Sequence, residues 1–293
     1  GTMGLGSAKL LKKPVVSAFH TNIPAYCGHF GFPQLTKPMW SYYKALHSQC
    51  ALTFCPSPSM ARLLQEHGFQ NLRIWSRGVD TTLFRPDHRS QELRDSWLAG
   101  REGRENIMVL LYVGRISWEK NLRLLTQTYR TMDHEHCHLV IVGDGPAFKE
   151  VQHEVANLPV TFTGYLKGEQ LAMAYASADI FAFPSTSETF GQVVLEAMAS
   201  GLPVVGVFSE GVCDLVQHER TGLLLDAQGL DEDEQVLSYL AHLQRLVHNT
   251  TERHVMGQAA LKVARQRSWS EAMDSLLSGY HEVIEERSPL IAA

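Results

Sequence analysis

No apolar run in this 293-residue sequence approaches the roughly 18–20 residues that a membrane-spanning helix needs, so no helical span is expected. An excess of positive charge is also missing: 26 Lys and Arg face 31 Asp and Glu, for a formal net charge of −5 and a pI near 6.3. That balance lacks the broad basic surface that nucleic-acid binding requires, so no nucleic-acid partner is expected. Cysteine is sparse, with Cys27, Cys50, Cys55, Cys137 and Cys213 scattered, odd in number and never in a C-x-x-C pair. They read as reduced thiols of a cytosolic protein. The 14 histidines have no metal-ligand spacing; His134-Glu-His136-Cys-His138 is dense but falls in a turn, and neither metal nor cofactor is expected. A third glycine after Gly143 and Gly145 is absent, so this loop falls short of a dinucleotide fingerprint and implies no hydride chemistry. Leu10-Leu11 is too short for a signal-peptide core. Gly1-Thr2-Met3 reads as an added leader before an initiator methionine, or as the opening of an excerpt from a longer chain.

What is present is ordinary soluble composition, 44% hydrophobic and 19% charged, at a length that suits two domains. Strand and helix patterns alternate. Short apolar runs at 14–19, 51–55 and 71–75 read as strands, separated by a Gly/Pro/aromatic loop over Cys27–Pro38 and helices over Lys37–Cys50 and Met60–His67. Thr81–Glu105 turns polar and charged and is taken as the domain junction. Strands then follow at 106–113, 138–142, 160–163, 179–183 and 203–208, with a short edge strand at 221–225. Three helical segments close the chain: 235–249, 252–267 and 268–286. The domains are therefore expected at 1–105, 106–267 and 268–293, the first two α/β with right-handed parallel sheets and the last a helical tail.

The stretch from Ser185 to Pro203 carries the most chemistry. Pro184 closes a buried strand. Thr189 and Gln192 have capping-box spacing, so Thr189 is expected as N-cap, with Phe190, Gly191, Gln192 and Val193 forming the helix start; Gly201 and Pro203 stop the helix. A helix start is an anion site, and Gly191 admits a ligand to the backbone. Glu188 precedes the cap, and Glu196 lies inside an otherwise apolar helix, where a carboxylate needs donors. Ligand hydroxyls can provide them, as can a cap or an internal salt bridge. Arg115 and Lys120 follow the 106–113 strand, where two cations can grip a diphosphate or simply pair with a carboxylate. His20 follows a strand's carboxyl end, the side where α/β sheets gather ligands. The stripe of Trp40, Tyr43, Leu46 and His47 fits either a helix packed on a sheet or one facing a membrane.

These motifs together resemble the retaining nucleotide-sugar glycosyltransferases of family 4. The resemblance runs through Phe19-His-Thr, Gly78-Val-Asp80, Gly114-Arg and Lys120, Gly143-Asp-Gly-Pro146, Phe162-Thr-Gly164, and Glu188 followed eight positions on by Glu196. It implies a GT-B fold of two Rossmann-like domains and transfer of a hexose from a UDP- or GDP-sugar with retention and without a metal. The acceptor is left open, with a lipid among the candidates through likeness to sulfoquinovosyl diacylglycerol transferases and related α-mannosyl- and α-glucosyltransferases. A cytoplasmic location, with peripheral membrane contact left open, goes with it. A non-catalytic nucleotide-sugar-binding protein and a GT-B epimerase are the alternatives.

Carried over by position, Arg115 and Lys120 hold the diphosphate, Glu196 the ribose hydroxyls, Glu188 the sugar hydroxyls and His20 the sugar near the reacting carbon. Gly114, Gly143, Gly145, Gly164, Tyr165 and the segment Thr189-Phe190-Gly191-Gln192-Val193 border the donor. Two departures stand out. The sequence opens midway through the family's first domain, so an incomplete N-terminal domain, weak turnover and a loosely ordered or self-associating N-terminal part are expected. Ser209-Glu-Gly-Val-Cys213 also replaces the usual glycine pair and proline.

Overall fold

A computed structural model describes residues 1–29 and 31–285. The chain folds as two units, residues 1–78 with 268–293, and residues 79–267. The second unit therefore begins ahead of the charged stretch Thr81–Glu105. That stretch is not a linker. Asp80 caps its own turn through Thr82 and Leu83, Ser90 caps the Gln91–Trp97 helix, and Trp97 and Leu98 are buried in the second core. Residues 286–293 of the expected tail lie outside the described residues.

The first unit holds three parallel strands in the order β1-β2-β3: β1 Val16–Ala18, β2 Leu52–Cys55 and β3 Leu72–Ile74. Only β2 is buried along its whole length. The edge strands are three residues each. The region expected as a loop over Cys27–Pro38 is partly helical. Asn22 caps a helix over Ile23–His29, with Pro24 in its first turn, and Pro33 opens a 3-10 turn that runs into the Thr36–His47 helix; Phe30, within that expected loop, lies outside the described residues. Trp40, Tyr43 and His47 surround Phe19 as an aromatic cluster, so this stripe serves packing. The Trp269–Glu285 helix, expected as a separate tail, belongs to the first unit. Ser268 and Glu271 cap it reciprocally, and Leu276 and Val283 pack with Leu52 and Phe54. Glycine is needed at two places along this seam. A Cβ on Gly279 would stand 2.5 Å from the Phe54 ring, and one on Gly78 would stand 2.3 Å from the Trp269 nitrogen.

The second unit is a six-stranded parallel sheet, order β6-β5-β4-β7-β8-β9. Its strands are β4 Met108–Val113, β5 Cys137–Val142, β6 Val160–Gly164, β7 Ile180–Phe183, β8 Val204–Val207 and β9 Gly222–Leu225. All but β6 are buried almost throughout, as expected of a parallel sheet covered on both faces, and this explains their unbroken apolar runs. The order reverses between β4 and β7. Ligand crevices in open α/β sheets form at such a switch point, beyond the carboxyl ends of the strands. The expected acidic turn is the capping box Asp231/Glu234 of the Glu232–His248 helix.

Candidate functional site

The loops that leave β4, β5 and β6 are stitched together by backbone. Gly114 N–H donates to the Val142 carbonyl at 3.0 Å, Ile116 to Asp144 at 3.0 Å and Gly143 to Gly164 at 2.8 Å. So close an approach leaves no room for side chains. A Cβ on Gly143 would lie 1.9 Å from the Gly114 oxygen and one on Gly145 would lie 2.2 Å from the Ile116 oxygen. Gly143 also sits at φ +136°. Beneath them the buried Tyr112 hydroxyl donates to the Arg115 carbonyl at 3.0 Å. Gly164 takes φ +72° with open space around it, and Tyr165 beside it is 77% exposed. Arg115 is exposed, and its guanidinium makes no hydrogen bond among the described residues.

At the switch point the β4 and β7 loops are clasped. Lys120 Nζ lies 2.6 Å from Glu188 Oε1 and 3.4 Å from Ser187 Oγ, with side-chain exposures of 17% and 19% for the ion pair. Ser185 Oγ donates to the same Glu188 oxygen at 3.2 Å, Ser187 Oγ donates to the Glu119 carbonyl at 3.1 Å, and Asn121 Nδ2 donates to the Pro184 carbonyl at 3.2 Å. Asn121 manages this from the left-handed region, at φ +55°. Sequence reasoning missed Asn121, Ser185 and Ser187. The Asn before a helical run was their one visible signal.

The expected capping box of Thr189 and Gln192 does not form. The helix spans Gln192–Ala199, and its N-cap is Gly191 at φ +88°, with no side-chain cap. Two packing demands explain the change. Phe190 is buried, 5% exposed, and a Cβ on Gly211, itself at φ +78°, would come within 2.8 Å of the Thr189–Phe190 backbone. The Ser209–Cys213 segment thus packs directly against the turn into the helix. Val193 follows in its first turn.

Glu196, one turn in, is held by neutral groups. The wholly buried Tyr175 hydroxyl donates to Oε2 at 3.1 Å, and the Gln192 side chain donates a second bond. Burial outweighs both and pushes the Glu196 pKa up to about 7. Tyr175 is a further partner that the sequence did not reveal.

His20 belongs to the first unit, where its ring meets Trp75 edge to face at 5.3 Å. Burial, then the Arg77 charge, lowers its pKa, which favours neutral imidazole at neutral pH. The dense histidine segment is structural: His134 Nε2 pairs with the Tyr129 carbonyl, Cys137 with the Asp133 carbonyl and His138 Nε2 with the Thr161 hydroxyl. Burial, with Arg101, pushes the His138 pKa down to about 4. Among the described residues no group of three or more His, Cys, Asp or Glu could hold a metal, and no helix is long and apolar enough to cross a membrane.

Two family descriptions match the chain, "Glycosyl transferases group 1" over residues 97–263 and "Glycosyltransferase Family 4" over residues 1–83. The chain belongs to this glycosyltransferase family. Among the family's members, the sulfoquinovosyl transferase SQD2 of Arabidopsis thaliana is 36% identical over 92% of this chain and 52% of its own length. A GDP-mannose-dependent α-mannosyltransferase of Mycolicibacterium smegmatis is 36% identical over 98% of this chain and 72% of its own. The chain thus spans about half the length of the plant relative. In solved structures, HepE of Anabaena in complex with UDP and glucose is similar with a TM-score of 0.77 at 21% identity, over 96% of this chain and 74% of that one. Sucrose-phosphate synthase of Thermosynechococcus elongatus is similar with a TM-score of 0.77 at 22% identity, over 92% and 68%. These likenesses establish the GT-B fold.

Proposed function

We propose that this chain transfers a hexose from a nucleotide sugar to an acceptor with retention of configuration, the acceptor being a glycerolipid. The Lys120–Glu188 clasp at the switch point carries the reading. It sets a cation and a carboxylate side by side at the start of the Gln192–Ala199 helix, so the site addresses a diphosphate and sugar hydroxyls together. Lys120, the exposed Arg115 and the positive end of that helix stabilise the charge that develops on a leaving diphosphate, and this electrostatic support needs no metal. Glu188 accepts from donor-sugar hydroxyls and Glu196 from ribose hydroxyls. His20, neutral, donates or accepts near the reacting carbon. The acceptor class rests on relatives: SQD2 is a sulfoquinovosyl transferase, and an α-monoglucosyldiacylglycerol synthase of Streptococcus pneumoniae is 30% identical over 76% of this chain and 53% of its own length.

The test is a panel of UDP- and GDP-hexoses, each with and without diacylglycerol vesicles, reading released nucleotide and lipid-bound sugar. Nucleotide release that depends on the lipid supports the proposal. Conversion of the sugar nucleotide without an acceptor would instead show an epimerase, and binding without either product would show a non-catalytic receptor. Arg115→Ala sharpens the assignment, because its guanidinium is exposed and makes no hydrogen bond among the described residues: stability should stay within about 0.5 kcal/mol, while calorimetry should show nucleoside diphosphate binding weakened far more than nucleoside binding. Equal losses for the two ligands would remove Arg115 from the diphosphate site.

A further inference from the structure

At the amino ends of β7 and β8, opposite the crevice described above, a hollow of about 270 Å³ opens within the second unit. Its walls are strongly basic for a chain of net charge −5. Arg89 and Arg253 both line it, with His254 and Gln258 exposed beside them. The one carboxylate on the wall, Asp179, is already occupied: Arg89 Nη2 reaches Oδ1 at 2.9 Å, while Arg94 Nη1 and the Val109 amide reach Oδ2 at 2.8 Å each. Two guanidiniums therefore share one carboxylate, and Arg253 brings a third positive charge to the same wall.

Arg253 spends Nη1 on the Leu246 and Val247 carbonyls and Nη2 on the Thr250 hydroxyl, and Arg89 spends its two terminal nitrogens on the Ala176 and Ala178 carbonyls and Asp179. These bonds fix both planes; Arg253 has only neutral partners among them, and Arg89 shares its one carboxylate, Asp179, with Arg94. Burial lowers the Arg253 pKa, and the Arg89 charge lowers it further against the opposing pull of Asp179; the two cations therefore feel each other. A second, independent observation points the same way. Ser200 lines the hollow, is only 3% exposed, and its hydroxyl has no hydrogen-bond partner among the described residues. A buried hydroxyl left unpaired costs on the order of 1–3 kcal/mol, so an acceptor from outside the chain would find a donor waiting.

We propose that this hollow is a binding site for a phosphate-type oxyanion, seated between Arg89 and Arg253 with Ser200 donating to it. At roughly 30 Å³ per water, the space holds several waters and so admits a phosphoryl group with a small body attached, but falls below the volume that usually takes a drug-sized ligand. The shared chemistry is the phosphoryl group, from inorganic phosphate or from a small phosphomonoester. Neither the diphosphate assignment at Arg115 and Lys120 nor the transfer reaction enters this argument.

The experiment is an amide NMR titration of the full chain at constant ionic strength, with inorganic phosphate in one arm and a hexose 6-phosphate in the other. A saturable shift of the Gly201 amide is expected, weakened about tenfold or more, the equivalent of 1.4 kcal/mol, in the double variant His254→Glu/Gln258→Glu. Both of those side chains are exposed, so the variant keeps its fold, and the same spectra report this. Arg115→Ala should leave the Gly201 response unchanged. Equal affinity in both arms assigns free phosphate, and tighter hexose phosphate assigns a phosphomonoester. The proposal falls if Gly201 fails to saturate, if the double variant binds as tightly as the parent, or if the response moves to Gly191–Val193 and disappears in Arg115→Ala.

Discussion

Two glutamates eight positions apart, at the two ends of one turn of chain, have opposite surroundings. Glu188 faces Lys120 at 2.6 Å with a serine hydroxyl beside it, a charged partnership that ties two loops together. Glu196 has no cation among its hydrogen-bond partners; a tyrosine and a glutamine hold it, and burial leaves its pKa near 7. The same side chain is thus an ion-pair partner in one place and a buried carboxyl with a raised pKa in the other. The cause is neighbours and solvent access, which sequence spacing alone does not encode.

The largest effect is expected from Lys120→Met, which strands Glu188 among hydroxyls. Breaking a largely buried ion pair from one side should cost on the order of 3 kcal/mol in urea denaturation, and losing a cation at the developing charge should lower turnover on the order of 10²-fold. Adding Glu188→Gln should recover much of the stability and none of the turnover. If the two substitutions simply add in stability, the clasp is not a coupled unit.

Glu196→Gln should act the other way on stability. A carboxyl whose folded pKa lies above its unfolded value binds more protons in the folded state, so wild-type stability falls as pH rises from about 4.5 to about 7 and stays reduced above that. The glutamine variant should lack this slope and be up to about 3 kcal/mol more stable than wild type at pH 8, since every tenfold change in proton affinity is worth about 1.4 kcal/mol. Parallel stability curves from pH 4 to pH 8 would mean that Glu196 titrates normally. In binding, Glu196→Gln should weaken the nucleotide itself while Glu188→Gln blurs the choice among donor sugars; matching profiles across UDP, UDP-sugars and GDP-sugars would end that division.

Tyr175→Phe is the finest probe. It removes one donor to the charged form of Glu196, so the carboxyl should titrate at still higher pH, and affinity for nucleotide at pH 7.5 should fall by about 1 kcal/mol. Carbon-detected NMR of the Glu196 carboxyl follows the first effect directly. A midpoint unmoved or lowered would show that Tyr175 only fills space.

Much of this was legible from the chain. The buried strands of the second unit announced themselves as unbroken apolar runs, because a parallel sheet covered on both faces leaves no polar alternation to confuse them. That Lys120 could pair with a carboxylate, and that a carboxylate at Glu196 needs donors, were both readable from position. The helix start at Gly191 was not, since Thr189 and Gln192 satisfy the local capping rule and only the burial of Phe190 and the contact with Gly211 override it. The partition of the chain was also hidden: charge along Thr81–Glu105 mimics a linker, while its anchors, Trp97 and Leu98, find their partners far away in sequence. Asn121 and Tyr175 escaped for the same reason, each meeting a residue on a different element.

The first unit is built from two separated lengths of chain, with the whole of residues 79–267 between them, and a hydrogen bond from Val79 to Arg267, 3.0 Å long, closes the inserted unit at its neck. Synthesis reverses the apparent order. The inserted unit has all its strands before the ribosome reaches the helix that covers Leu52 and Phe54, so the unit that comes second in sequence is complete first. Until that helix emerges, Leu52 and Phe54 lack the cover that Leu276 and Val283 give them, and exposed apolar surface of this kind favours association of partly folded chains.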